Sequence, residues 1–227
     1  MATKVRVAVV GAGLGGIAAA IKLKEAGIDD FLVFDRNQKV GGVWHENKYP
    51  GCCCDTPVAL YEFSFAPNPG WTHLFPRAAE VQAYAENLVE TFQLTPHMKL
   101  GDGMASAVWN EAANTWSLQT ESGAEYEADA IVAGMGQLNR PSYPDIEGRD
   151  SFAGPSMHSA RWDQSVSLKG KRVGVIGSAA SAVQLIPEVA KEAAQMTVFQ
   201  RTPNWVIPRN DQEITDETKA LMMTDLE

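Results

Sequence analysis

Gly11-Ala12-Gly13-Leu14-Gly15-Gly16 follows an apolar, β-branched run, Val5–Val10, and precedes an Ala-, Leu-, Lys- and Glu-rich stretch from Ile17 to Ala26 that Gly27 stops. The spacing Gly11-x-Gly13-x-x-Gly16 suits a phosphate-binding turn. Gly11 permits the tight turn, Gly13 leaves a pyrophosphate unobstructed, and Gly16 lets the helix approach the strand. The pyrophosphate would then rest on the positive end of the helix and its unpaired amides. Asp35, 24 residues past Gly11, closes the strand-like run Phe31–Phe34. A carboxylate there accepts hydrogen bonds from ribose hydroxyls and repels a 2′-phosphate, so the turn suits FAD or NAD.

The pattern returns 167 residues later: Arg172–Gly177 runs into Gly177-Ser178-Ala179-Ala180-Ser181-Ala182, a helix-like stretch to Ala194, and the strand-like Met196–Phe199. Such a duplication implies a second nucleotide site. Its middle glycine is replaced by Ala179, whose methyl group would crowd a pyrophosphate. No acid follows its second strand; Gln200-Arg201-Thr202 supplies a guanidinium and a hydroxyl instead. Arginine forks onto phosphate through two hydrogen bonds, so this turn is expected to prefer NADP(H) over NAD(H), with Gly177, Ser178, Ser181, Arg201 and Thr202 as its contacts.

Other chemistries find little support. Cys52, Cys53 and Cys54 are consecutive. Neighbouring cysteines close only strained rings, and neither a Cys-x-x-Cys redox pair nor a zinc spacing exists. They read as small apolar side chains in a reducing compartment, and no metal is expected. The chain carries 19 Lys and Arg against 28 Asp and Glu, a net charge of −9, which disfavours nucleic acid as a partner. No apolar run approaches the ~18 residues of a membrane span, and Met1–Lys4 enters a strand directly without a leader, so a cytoplasmic protein is expected.

The elements that must position these residues follow from local pattern. The chain has 227 residues, 45% hydrophobic, enough for one large or two small domains. Gly41–Pro76 is rich in Gly, Pro and aromatics and reads as an ordered loop. Ala78–Phe92 has helical spacing. Short strands are expected across Ala105–Glu127, with turns near Asn114 and Gly123, then a buried strand at Ala130–Gly134. Pro187 should kink the second helix. From Asp211 to Glu227 six acids face Lys219 alone, and this tail reads as solvated.

Two longer constellations are more specific than either glycine turn. They are Gly41-Gly42-x-Trp44-x-x-x-x-Tyr49-Pro50-Gly51-x-x-x-Asp55 and Phe152-x-Gly154-x-x-x-His158-x-x-x-Trp162-Asp163. With the two turns, they make the chain resemble Baeyer–Villiger-type flavin monooxygenases over nearly all its length up to Arg209. Related N- and S-oxidising flavin monooxygenases usually carry Phe or Tyr where this chain has Trp162. The resemblance implies an α/β fold of two Rossmann-like dinucleotide-binding modules, both incomplete at the C-terminus. Residues 1–150 would bind FAD, 151–170 link, 171–210 begin the NADP module, and 211–227 form the acidic tail.

It also implies a cycle. Hydride passes from NADPH to FAD, O2 reacts with the reduced flavin, and one oxygen atom enters beside a ketone carbonyl to give an ester or lactone. Asp55 is then the flavin-side aspartate that pairs with an active-site arginine, and His158 sits in the linker that couples domain movement to catalysis. Gly42, Trp44 and Tyr49 would line the flavin and nicotinamide region, and Phe152 and Trp162 would anchor the linker. Family members are usually more than twice this long. The arginine partner of Asp55 is expected to lie outside this sequence, and the chain alone is expected to have little oxygenase turnover. The alternatives are N- or S-hydroxylation, or a non-catalytic nucleotide-binding remnant.

Overall fold

The computed structural model describes residues 2–224. In chain order the strands are β1 (Thr3–Val10), β2 (Phe31–Asp35), β3 (Met98–Leu100), β4 (Met104–Asn110), β5 (Thr115–Thr120), β6 (Glu125–Ala133), β7 (Arg172–Ile176) and β8 (Gln195–Phe199). The helices are α1 (Leu14–Glu25), α2 (Val43–Glu46), α3 (Ala78–Thr91), α4 (Ala180–Glu192) and α5 (Asp216–Thr224). The chain divides into two compact units. One holds the residues up to His45 with Val81–Asn139; the other holds Glu46–Glu80 and everything from Arg140 on.

The first unit is built on a mixed six-stranded sheet of order β3-β2-β1-β6-β5-β4. β1 pairs parallel with β2 and β6, and β2 parallel with β3; β4, β5 and β6 form an antiparallel meander. Val7, Ala8 and Val9 of β1 and Phe31, Val33 and Phe34 of β2 are buried, as two-sided coverage of parallel strands requires. Ile17, Ala20 and Ile21 bury the inner face of α1. The meander turns at Asn114 and Gly123, both with positive φ, as their residue types suggest.

The second unit holds the parallel pair β7–β8 and α4. Its core joins Leu185 and Val189 of α4 to Tyr49, with Cys52, Trp162, Leu168, Val173 and Met196 packed around them. α4 begins two residues earlier than the pattern suggests and continues past Pro187 to Glu192.

Two expectations are corrected. Of the strand expected to be buried at Ala130–Gly134, Ala130 and Ala133 are exposed and Ile131 and Val132 only half-buried. Ile131 packs against the core cluster of Val5, Ala8, Phe34, Leu118 and Ala128, so the strand is covered only in part. The acidic tail is not simply solvated: the backbone amide of Leu74 donates to the Gln212 carbonyl and that of Ile214 to Thr72, an antiparallel bridge between His73 and Glu213. The Phe75 amide adds a bond to the Asp211 carboxylate at 3.1 Å. Backbone groups that need partners thus outweigh the preference of this charged segment for water.

Candidate dinucleotide sites

The first turn is a layer of glycine backbones. The Gly11 amide donates to the Phe34 carbonyl at 2.7 Å, tying the turn to the end of β2. A Cβ at Gly16 would lie 1.7 Å from the Gly11 carbonyl oxygen, so only hydrogen fits there. A Cβ at Gly42 would lie 3.0 Å from the Gly13 Cα, which places Gly42 directly against the turn. Gly134, at the end of β6, adds a third close backbone, its carbonyl oxygen 2.3 Å from a Cβ at Gly11. Pattern reading used Gly134 only as the end of a strand.

Asp35 is buried, and both its oxygens accept backbone bonds: Oδ2 from the Ala12 amide at 2.7 Å and Oδ1 from the Asn37 amide at 2.8 Å. The carboxylate is therefore held at the mouth of the turn, with lone pairs left for ribose hydroxyls. The N-terminus of α1 has no side-chain cap, so its opening amides have no partner within the helix. A methyl at Gly13 would sit 3.6 Å from Gly42 Cα, in ordinary van der Waals contact with it. The residues fit an adenine dinucleotide. Trp44 is half-buried in α2, its amide donating to the Gly41 carbonyl at 3.2 Å.

The second turn repeats the first in backbone. Gly177 has φ 108° against 105° at Gly11, and its amide donates to the Phe199 carbonyl at 2.9 Å. Ala179 caps α4 with φ −77° and ψ −176°; Gly13 caps α1 with φ −75° and ψ −177°. That conformation is open to any residue, so Ala179 costs no strain and differs from Gly13 only by its methyl group. The matching bonds of Phe34 and Phe199 set Gln200 opposite Asp35 and place Arg201 one position further on. The signal was in the sequence: Val33-Phe34-Asp35 and Val198-Phe199-Gln200 align without a gap. Arg201 and Thr202 are exposed.

In the same unit, the loop that carries Tyr49 and Asp55 is fastened to α4 by Gln184. Its Oε1 accepts from the Tyr49 hydroxyl at 2.9 Å and the Cys53 amide at 3.2 Å. Its Nε2 donates to the Cys53 carbonyl at 3.1 Å and to Asp55 Oδ1 at 2.5 Å. Gly51, at φ 78°, lets the loop lie against this helix, since a Cβ there would stand 2.6 Å from the Gln184 carbonyl oxygen. The Ser181 hydroxyl also bonds the buried Tyr49 phenol, so two expected contact residues meet. Burial, chiefly, raises the Tyr49 phenol and the Cys52 and Cys54 thiols above their ordinary values.

Asp55 does meet an arginine of this chain: Arg209 Nη1 lies 3.9 Å from its Oδ1 and donates to Cys53 Sγ. Pattern reading missed both Gln184 and Arg209, and expected the cysteines to be only apolar filler. His158 caps the 3-10 turn Ser159–Arg161, its Nδ1 accepting from the Ala160 amide at 3.1 Å. Its ring stands edge-on to Tyr143 at 5.3 Å, and Arg149 lies over the same Tyr143 ring at 4.5 Å. Trp162 joins the core beside Tyr49, whereas Phe152 is exposed. Among the described residues no cluster of ligating side chains could hold a metal, and no helix is long and apolar enough to cross a membrane.

Comparison with known proteins shows the family of the chain. A family model described as pyridine nucleotide-disulphide oxidoreductase matches residues 8–223. A Baeyer–Villiger monooxygenase of Streptomyces coelicolor is 45% identical over 96% of this chain and 42% of its own length. Among solved structures, cyclohexanone monooxygenase from Rhodococcus sp. Phi1 bound to NADP+ has a TM-score of 0.92 at 36% identity, covering 99% of this chain and 43% of that one. OTEMO in complex with FAD and NADP has a TM-score of 0.91 at 30% identity, covering 98% and 43%. The chain belongs to the pyridine nucleotide-disulphide oxidoreductase family. Within it, the chain is a homologue of the Baeyer–Villiger monooxygenases, spanning less than half the length of these relatives and corresponding to their N-terminal portion.

Proposed function

We propose that the chain is the nucleotide-binding part of an FAD- and NADPH-dependent monooxygenase that inserts oxygen beside a ketone carbonyl. In this reading residues 1–150 form the FAD module, 151–170 the linker and 171–210 the start of the NADP module. The observation that carries it is the pair of like-built turns with unlike chemistry. One presents the buried carboxylate of Asp35, the other the neutral Gln200 and the exposed Arg201. A carboxylate selects free ribose hydroxyls, and a guanidinium selects a phosphate. FAD and NADPH, when bound, supply the hydride transfer and the activation of O2.

The chain's own residues bind and orient. Asp35 holds a ribose, and the opening amides of α1 face a pyrophosphate, with Gly13 and Gly42 keeping the approach clear. Arg201 and Thr202 take the 2′-phosphate of the second nucleotide, while Gly177, Ser178 and Ser181 line its turn. Asp55, fixed by Gln184 and beside Arg209, places a negative charge on the flavin side. His158 orders the linker turn by accepting the Ala160 amide at Nδ1. The relatives' names favour ketone oxygenation over heteroatom oxidation, and Trp162 agrees.

The test is titration of the purified chain with FAD, NADPH and NADH, followed by turnover of the whole protein on ketones and amines. Flavin binding that Asp35→Ala abolishes, and tighter binding of NADPH than NADH that Arg201→Ala removes, are expected. Failure to bind either nucleotide, or turnover of amines alone, overturns the proposal.

A further inference from the structure

Gln82 lies on α3, and its side-chain amide reaches the segment Val40–Gly42. Its Nε2 donates to the Val40 carbonyl at 2.8 Å and to Glu86 Oε1 at 2.9 Å. Both partners are acceptors, so the direction of the amide is fixed: a rotated amide would set oxygen against two oxygens. Its Oε1 is then a buried acceptor with no hydrogen-bond partner among the described residues. An acceptor buried in this way costs stability, and a leucine of similar size would avoid the cost. Such a departure is expected where a residue serves a site rather than the core.

The orphan oxygen faces Gly41. A Cβ built on Gly41 would lie 1.9 Å from Gln82 Oε1 and 2.8 Å from its Cδ. Only a hydrogen fits there, and it points at the oxygen as a weak Cα–H donor. Gly41 has φ 112°, a conformation that favours glycine. One amide thus grips the strap Val40–Gly41–Gly42 twice, at the Val40 carbonyl and at the Gly41 Cα. The strap meets the first turn at two further points. The Gly41 amide donates to the Ala12 carbonyl at 2.8 Å, and a Cβ at Gly42 would lie 3.0 Å from the Gly13 Cα. Through one side chain, α3 therefore controls how closely the Gly41–Gly42 backbone approaches Gly13.

We propose that Gln82 is a positioning residue of the first site. It holds Gly41 and Gly42 at a fixed separation from Gly13, and so keeps the turn in the shape that a dinucleotide pyrophosphate needs. It acts through the strap and not by contact with the nucleotide. The proposal rests on the reading that the first turn binds FAD, and it adds the side chain that sets the shape of that site from a neighbouring helix.

The experiment measures dissociation constants of the whole chain for FAD and NADPH across pH. Gln82→Leu keeps the bulk and removes both donors. It is expected to weaken FAD about 10-fold, the worth of one or two hydrogen bonds, and to leave NADPH, assigned to the other unit, unchanged. Gln82→Glu separates positioning from packing. Ionised, the new carboxylate can only accept, and it meets the Val40 carbonyl and Glu86, both acceptors. Protonated, it donates to the Val40 carbonyl again. Of the charged groups facing this position, Glu86 favours the protonated form and Lys39, 3.9 Å from Glu86, opposes it. Relative to the unsubstituted chain at the same pH, FAD affinity of Gln82→Glu should be down about 10-fold near pH 8 and recover as pH falls towards about 5. Full FAD affinity in both variants, no recovery of Gln82→Glu at low pH, or an equal loss of NADPH binding overturns the proposal. The nucleotide reading survives that result if Asp35→Ala still abolishes FAD binding. An unsubstituted chain that does not bind FAD removes both.

Discussion

Under the proposed function, Asp35 would connect stability to binding within one side chain. Its two oxygens satisfy the Ala12 and Asn37 amides, and it is only 9% exposed. Bonds to an ionised acceptor contribute about 1.5–3 kcal/mol each, and orphaned buried donors add to the cost of losing them. Asp35→Ala should therefore destabilise the chain by about 3 kcal/mol as well as abolish flavin binding, and urea unfolding read by tryptophan fluorescence will show it. Asp35→Asn keeps one acceptor oxygen and should lose less stability than Asp35→Ala. At Asp55 the logic differs. Its side chain is 54% exposed and its Arg209 partner stands at 3.9 Å, so that ion pair adds little to stability and matters for the field it sets.

At the scale of elements, the turns are fixed by close backbone contacts and the aromatic loop by one amide. The methyl of Gly16→Ala would lie 1.7 Å from a carbonyl oxygen, whereas one at Gly15 meets nothing within 4 Å. Gly16→Ala should cost at least about 3 kcal/mol, and Gly15→Ala should be neutral or stabilising by up to about 1 kcal/mol. Thermal melts of the pair separate close approach from a general intolerance of α1 to alanine. Gln184→Ala removes four hydrogen bonds between α4 and the loop at Tyr49–Asp55. It should destabilise by about 2–4 kcal/mol, with faster hydrogen exchange at the Cys53 amide as its local signature.

For the molecule as a whole, the titration of Tyr49, Cys52 and Cys54 sets the alkaline limit. Each holds its proton more tightly when folded, chiefly because burial penalises the charged form. Above about pH 9 the unfolded chain releases thiol protons that the folded chain keeps, so stability is whole below that pH and falls as pH rises through the folded values. Urea midpoints should hold steady to about pH 8.5 and then decline. Combining Cys52→Ala, Cys54→Ala and Tyr49→Phe should flatten that decline.

The sequence by itself determined the two strand–turn–helix–strand units, the helix at Ala78–Phe92 and the strands of the meander, though not α2, β3 or α5. These depend on neighbours a few residues apart: which positions tolerate a Cβ, and which runs alternate or repeat at helical spacing. Tertiary structure alone decided the partners of Asp55, since Gln184 lies 129 residues away and Arg209 further still. It also decided that the tail near Glu213 would find a backbone partner at His73. Gln200 shows the boundary between the two. Its register with Asp35 was countable from the Val-Phe pairs, but the turn of its amide towards Ser178 was not. Local steric demands are written in residue type and spacing, whereas the direction of a polar side chain is settled by whatever distant donor or acceptor folding brings within 3 Å or so.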